Sequence, residues 1–112
     1  MRKLIVFAWL CSCALAQAGD VWEPMSGAEI THVLTDRKLQ YPQAWQDFRA
    51  SGRTLYNAGA DSWGYWAVRG GQYCSMWPPS DTWACYDMAR SEDRLRFIGA
   101  AGDITDAVYA DE

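Results

Sequence analysis

The sequence predicts a mainly β (α+β) domain, in which a short N-terminal helix is followed by an antiparallel meander of about seven strands forming a small barrel or strongly coiled sheet. Three observations carry that expectation. From Lys38 onward the apolar period is two. Turn signals recur at short intervals, at Ser51-Gly52, Gly70-Gly71, Pro78-Pro79-Ser80 and the Arg90-Ser91-Glu92-Asp93 run. Two cysteines also fall at mirror positions: if the turn is symmetrical about Pro79 and Ser80, partner numbers sum to 159 and Cys74 lies opposite Cys85. Directly opposed residues of an antiparallel pair come close enough for a disulfide.

The chain has 112 residues, and its start reads as a leader. Met1-Arg2-Lys3 is basic, Leu4 to Ala14 is apolar, and Ala16-Gln17-Ala18 has the small residues that signal peptidase requires. Cleavage after Ala18 divides the chain into a signal peptide, 1–18, and a single β-rich domain, 19–112. The apolar run is too short for a spanning helix, so no transmembrane segment is expected after processing. The destination is periplasmic or secreted. Leu10-Cys11-Ser12-Cys13 loosely resembles a lipobox, which makes lipid anchoring through Cys13 the lesser alternative route.

Loss of Arg2 and Lys3 with the leader leaves eight basic residues, from ten, against fourteen acidic ones, a net charge of −6. That balance disfavours nucleic acid as a partner. The charges are scattered, with no block of like sign. Six tryptophans and six tyrosines remain, a large aromatic area for so small an interior. The two remaining cysteines are an even count for an oxidising compartment, and a structural Cys74–Cys85 disulfide follows.

Along the mature chain, Gly19 to Pro24 reads as an irregular lead. Ser26-Gly27-Ala28-Glu29 is a capping box, with Met25 placed to staple onto Ile30. Ile30, Val33 and Leu34 share one helical face, and the helix should end near Thr35-Asp36. Leu39 and Tyr41 mark a first strand that stops at Pro42. Ala44 to Ala50 and Arg53 to Asn57 flank Ser51-Gly52, a register that sets Phe48 opposite Leu55. Partner sums of 141, 159 and 183 then build the meander. They match Val68 with Tyr73, Trp66 with Ser75, Gly64 with Trp77, Tyr73 with Tyr86, Trp77 with Thr82, Tyr86 with Phe97 and Met88 with Leu95. A last strand runs from Ile104 to Tyr109 with its facing left open.

One face of this meander carries Val68, Trp66, Tyr73, Trp77, Tyr86, Met88, Leu95 and Phe97 and no formal charge, so it is the expected core side. The other carries Arg69, Gln72, Asp87 and Arg96 in one row, with Asp87 between Gln72 and Arg96 as a surface ion pair. On this wetter face Trp63, Tyr65, Met76 and Trp83 form an aromatic cluster, either covered by the N-terminal helix or an early strand, or exposed as a contact patch.

Catalytic groups are sparse. His32 is the sole histidine and points away from the helix's apolar face, so no Ser-His or Cys-His arrangement can be assembled. No phosphate-cradling glycine loop, zinc pattern or acidic calcium loop is present, and neither metal nor cofactor is expected. The residues therefore point to a non-enzymatic binding or interaction module whose partner is an unidentified protein or a small apolar ligand. Within binding, the alternative to the outer patch is a lipocalin-like carrier whose inner residues Trp66, Tyr73, Trp77 and Tyr86 face the ligand. A periplasmic inhibitor of a hydrolase, lysozyme or protease, is the third reading, with Trp77-Pro78-Pro79-Ser80-Asp81 as a stiff inserting loop.

Gly52-Arg53-Thr54-Leu55-Tyr56, Trp63-Gly64-Tyr65-Trp66-Ala67-Val68, Gln72-Tyr73-Cys74-Ser75-Met76-Trp77 and Ala84-Cys85-Tyr86 give the chain a rhythm that resembles the DUF995 family of small exported proteobacterial proteins. The likeness spans most of the mature chain. It implies an exported, disulfide-bearing β domain and no particular activity.

Overall fold

The computed structural model describes residues 21–110. The leader reading and the lipobox cysteine Cys13 lie outside the described residues. The elements are β1 (Glu23–Pro24), α1 (Gly27–Leu34), β2 (Arg37–Tyr41), β3 (Ala44–Phe48), β4 (Arg53–Asn57), β5 (Asp61–Arg69), β6 (Gln72–Met76), β7 (Ala84–Ser91), β8 (Arg94–Ile98) and β9 (Ile104–Tyr109). From β2 to β9 each strand pairs antiparallel with the next, and β9 returns to β2 through Leu39↔Tyr109 and Gln40↔Val108. The result is a closed eight-stranded up-and-down barrel. Closure removes the sheet edges that an open meander would leave exposed.

The extra strand, β1, occupies what the sequence reads as an irregular lead. β7 pairs with β6 over Ala84–Tyr86 and then, beyond the end of β6, with β1 through Glu23↔Arg90 and Pro24↔Ala89. Met25 continues the seam by donating its N–H to the Met88 carbonyl at 2.9 Å.

Helix α1 starts at the expected capping box: the Glu29 N–H donates to Ser26 Oγ at 3.2 Å and the Ser26 N–H to Glu29 Oε1 at 2.8 Å. Its apolar face, Ile30, Val33 and Leu34, is buried in one cluster with Met25, Leu39, Phe48, Trp66, Met88 and Leu95. All of these partners but Met25 are barrel residues that point inward, so the helix plugs one end of the barrel. The Tyr109 hydroxyl donates to the Val33 carbonyl at 3.0 Å and fastens the plug to β9. The chain leaves the helix at Asp36, whose φ of 60° turns it sharply, and the Asp36 N–H donates to the Phe48 carbonyl at 2.7 Å. No helix among the described residues is long and apolar enough to cross a membrane.

Several registers differ from expectation. The β3–β4 connection is a three-residue loop: the Arg49 N–H donates to the Arg53 carbonyl at 3.0 Å, and Gly52 takes the left-handed conformation at φ 93°. Phe48 therefore opposes Thr54 and not Leu55. A one-residue slip exchanges faces, so Thr54 is fully buried inside and Leu55 lies half-buried outside. Between β7 and β8 the turn is Glu92-Asp93, with Glu92 at φ 56°, and Met88 opposes Phe97. This shift is by two residues, so every inward side chain stays inward.

That shift also separates Asp87 from Arg96. Ala89 stands opposite Arg96, which instead grips Asp106 with two hydrogen bonds of 2.8 and 3.0 Å, while Asp87 accepts from Gln72 Nε2 at 3.1 Å. The β5–β6 and β6–β7 registers follow sums of 141 and 159, ending at Tyr65↔Met76 and Ser75↔Ala84. Beyond them the chain enters the loop 77–83, so Gly64↔Trp77 and Trp77↔Thr82 are not ladder pairs. On β9, Thr105 and Ala107 face in, while Ile104 and Val108 face solvent.

Candidate ligand cup at the open end of the barrel

Eight strands enclose an interior that side chains can just fill or that can hold one small ligand. This barrel does both. Its plugged half is packed solid by large apolar residues. Its other half opens as a cup of about 750 Å³ whose mouth is framed by Pro42 and Gln43 of the β2–β3 turn, Ala58 of the β4–β5 turn, and Thr105.

Alternation along the strands decides the lining. Tyr41 on β2, Tyr56 on β4, Tyr73 on β6, Tyr86 on β7 and Phe97 on β8 all point inward, and Trp77 turns in from the start of the loop 77–83. Their rings form one continuous chain around the wall. Trp77 meets Tyr56 at 5.9 Å between centroids, Tyr56 meets Tyr41 at 6.2 Å, and Tyr41 meets Phe97 at 5.9 Å. Phe97 meets Tyr73 at 5.2 Å, and Tyr73 meets Tyr86 at 5.9 Å. Edge and tilted contacts in this distance range are favourable for aromatic quadrupoles and stiffen the wall.

Gly64 makes room for the Trp77 ring. A Cβ there would stand 2.5 Å from Trp77 Cε3 and 2.7 Å from the Met76 carbonyl oxygen. Only glycine lets the ring lie against β5. Trp77 Nε1 donates to Ser75 Oγ at 3.3 Å, which fixes the indole in the wall.

The floor is polar and internally bonded. Buried Gln46 accepts from the Tyr41 hydroxyl at 2.6 Å and donates through Nε2 to Thr54 Oγ1 at 2.9 Å and the Tyr73 hydroxyl at 3.1 Å. The Thr54 hydroxyl in turn donates to the Asp47 carbonyl at 2.9 Å. A buried amide satisfied on both ends costs little and fixes its neighbours, whereas one left unpaired would be expensive.

Burial pushes the Tyr73 phenol up to about 12, with hydrogen bonds to Ser75 and Gln46 opposing the shift. Burial likewise holds Tyr41 well above the usual tyrosine range, reinforced by the nearby Tyr73, Tyr56 and Tyr86. Both phenols therefore stay neutral at physiological pH. Among the described residues, no acidic or basic side chain lines the cup and no cluster of three or more metal-binding side chains occurs.

Of the inner residues named from sequence, Tyr73, Trp77 and Tyr86 line the cup. Trp66 does not: its ring packs edge-on to Phe48 at 5.7 Å, and its N–H donates to the Arg49 carbonyl at 2.8 Å, toward the plugged end. Tyr41, Gln46, Tyr56 and Phe97 also line the cup and are not among the ligand-facing residues that the sequence suggests. The signal for Gln46 is its place two residues before inward Phe48 on β3, and that for Tyr56 its place two residues after Thr54 once the Gly52 loop sets the register.

The outer cluster is not covered by the helix, which sits at the barrel end. Trp63 and Tyr65 remain 39% and 41% exposed, with Met76 and Trp83 half-buried. Arginines lie over the rings instead: Arg53 over Trp63 at 4.8 Å and Tyr65 at 5.5 Å, and Arg69 over Trp83 at 4.1 Å. Cys74 and Cys85 form the expected disulfide across β6 and β7, with Cα atoms 4.0 Å apart. Pro78, Pro79, Ser80 and Asp81 are exposed at the mouth, while Trp77, the first residue of the loop named for insertion, points into the cup.

No family model, curated protein or solved structure matches this chain.

Proposed function

We propose that this chain is an exported, disulfide-stapled binding barrel that holds a small uncharged molecule of largely apolar character in its open cup, without transforming it. One observation carries this reading: a cavity of about 750 Å³, open at one end and walled by six aromatic rings. That volume lies in the range of sites that enclose drug-sized ligands, and a few convergent polar groups among apolar walls is the usual make-up of such sites. The opposite end is plugged, which gives the cup a floor. The Cys74–Cys85 link is compatible with a periplasmic or extracellular location.

The cup is favoured over the outer cluster because Arg53 and Arg69 already lie over the Trp63, Tyr65 and Trp83 rings. It is favoured over an inserting inhibitory loop because Trp77 is bonded inward to Ser75. Native mass spectrometry of the protein taken gently from its own host tests the reading. An extra mass of a few hundred daltons is expected, and its loss in a Ser75→Trp variant that keeps the β circular dichroism spectrum. A cargo retained undiminished by that variant would place binding elsewhere.

A further inference from the structure

Resting on the cup as a binding site, we infer that its ligand class is a flat, uncharged aromatic molecule bearing hydrogen-bond acceptors at its edge, as in quinones and aromatic ketones, with Tyr56 and Tyr86 donating to those oxygens.

Charge is decided by the lining. Among the described residues the cup offers no ammonium, guanidinium or carboxylate, so an ionic ligand would lose its hydration without gaining a counter-charge. Shape is decided by the rings. A continuous aromatic wall presents faces and edges to its contents, and a planar π system meets both in stacked and edge geometries that a flexible aliphatic chain cannot use.

Polarity follows from a count of donors. The Tyr41 hydroxyl is committed to Gln46, both Gln46 amide protons go to Thr54 and Tyr73, the Trp77 N–H goes to Ser75, the Tyr73 and Ser75 hydroxyls bond to each other, and Gln43, Ser62 and Thr105 are exposed to solvent at the rim. The Tyr56 and Tyr86 hydroxyls have no protein partner among the described residues, yet both rings lie in the wall, half-buried. A phenol donates more readily than it accepts, because its oxygen lone pair is shared with the ring. The two hydroxyls therefore call for ligand oxygens that accept, and a hydrocarbon would leave them desolvated and unpaired. A sugar fits less well, since its vicinal hydroxyl pairs are commonly held by carboxylate or guanidinium groups, and the wall has neither.

Isothermal titration calorimetry of the purified protein with three probes tests this: 2-methyl-1,4-naphthoquinone, 2-methylnaphthalene and 1-decanol. The quinone is expected to bind roughly tenfold or more tightly than the hydrocarbon of the same outline, the effect of two new hydrogen bonds. The Tyr56→Phe/Tyr86→Phe double variant keeps both rings, and should bring the quinone down to the hydrocarbon's affinity while leaving the hydrocarbon's unchanged. Equal binding of quinone and hydrocarbon to the parent, or no loss in the double variant, overturns the ligand class and leaves the cup standing. Binding of decanol alone does the same. Failure of all three probes to bind overturns the cup and the ligand class together.

Discussion

Gly64→Ala is the sharpest test of how the cup wall is built. The added methyl would lie 2.5 Å from Trp77 Cε3, 2.8 Å from Cζ3 and 2.7 Å from the Met76 carbonyl oxygen. Carbon atoms in contact prefer about 3.5–4.0 Å, so the indole has to retreat by roughly 1 Å. It cannot retreat freely, because it packs on Tyr56 at 5.9 Å and is hydrogen-bonded to Ser75. The carbonyl contact is with backbone next to the Tyr65↔Met76 pair, which a side-chain rotation does not relieve. Overpacking of this kind costs about 1–3 kcal/mol. In a domain of this size, each kcal/mol lowers Tm by roughly 4–8 °C.

A fall of roughly 8–16 °C, for about 2 kcal/mol, is therefore expected by circular dichroism, with a changed near-ultraviolet band as Trp77 shifts. Gly64→Ala/Trp77→Ala should recover little of it, since removal of the ring opens a cavity and the carbonyl contact remains. A Tm within about 1 °C of the parent, with an unchanged near-ultraviolet spectrum, would refute this account of the wall.

Other outcomes follow from the same geometry. Cys74→Ala/Cys85→Ala opens a ring of sequence separation 11 and, by loop-closure entropy, should cost about 2.8 kcal/mol in urea unfolding; an unchanged midpoint would mean that the staple contributes nothing. The Tyr73 phenol has its folded pKa raised from about 10 to about 12. The folded state thus holds its proton longer, and the stability this gives is intact below pH 10 and is lost as pH rises to about 12. Denaturant midpoints should fall across that window and fall less steeply in Tyr73→Phe, whereas an identical slope would sink the assignment. Leu34→Ala removes a fully buried plug residue and should cost about 2–5 kcal/mol; exposed His32→Ala on the same helix should leave the melting curve in place.

The central hairpin was legible because its information is local. Pro79 and Ser80 mark the turn, the cysteines mirror each other about it, and alternation then sends Tyr73 and Tyr86 inward. The capping box was equally plain, since its two hydrogen bonds join residues three apart. Tyr56 was hidden by one residue of loop length. Reading Ser51-Gly52 as a two-residue turn sends Leu55 inward and Tyr56 outward, and only the left-handed Gly52 of a three-residue loop reverses that. Closure of β9 onto β2 joins residues some seventy positions apart, and no local pattern announces it. The helix showed its apolar face, but periodicity does not say whether that face covers a sheet or stoppers a barrel.

The stoppered end is also where both ends of the described chain emerge. β1 runs beside the Arg90 end of β7, Trp22 lies under Arg94 and Arg96, and Ala110 donates its N–H to the Lys38 carbonyl at the start of β2. The mouth is at the far pole. Whatever precedes Val21 or follows Ala110 is therefore attached at the base, so the molecule is oriented like a vessel on its stand. Immobilising it through either terminus would present the opening to the medium, a useful orientation for surface-based binding assays.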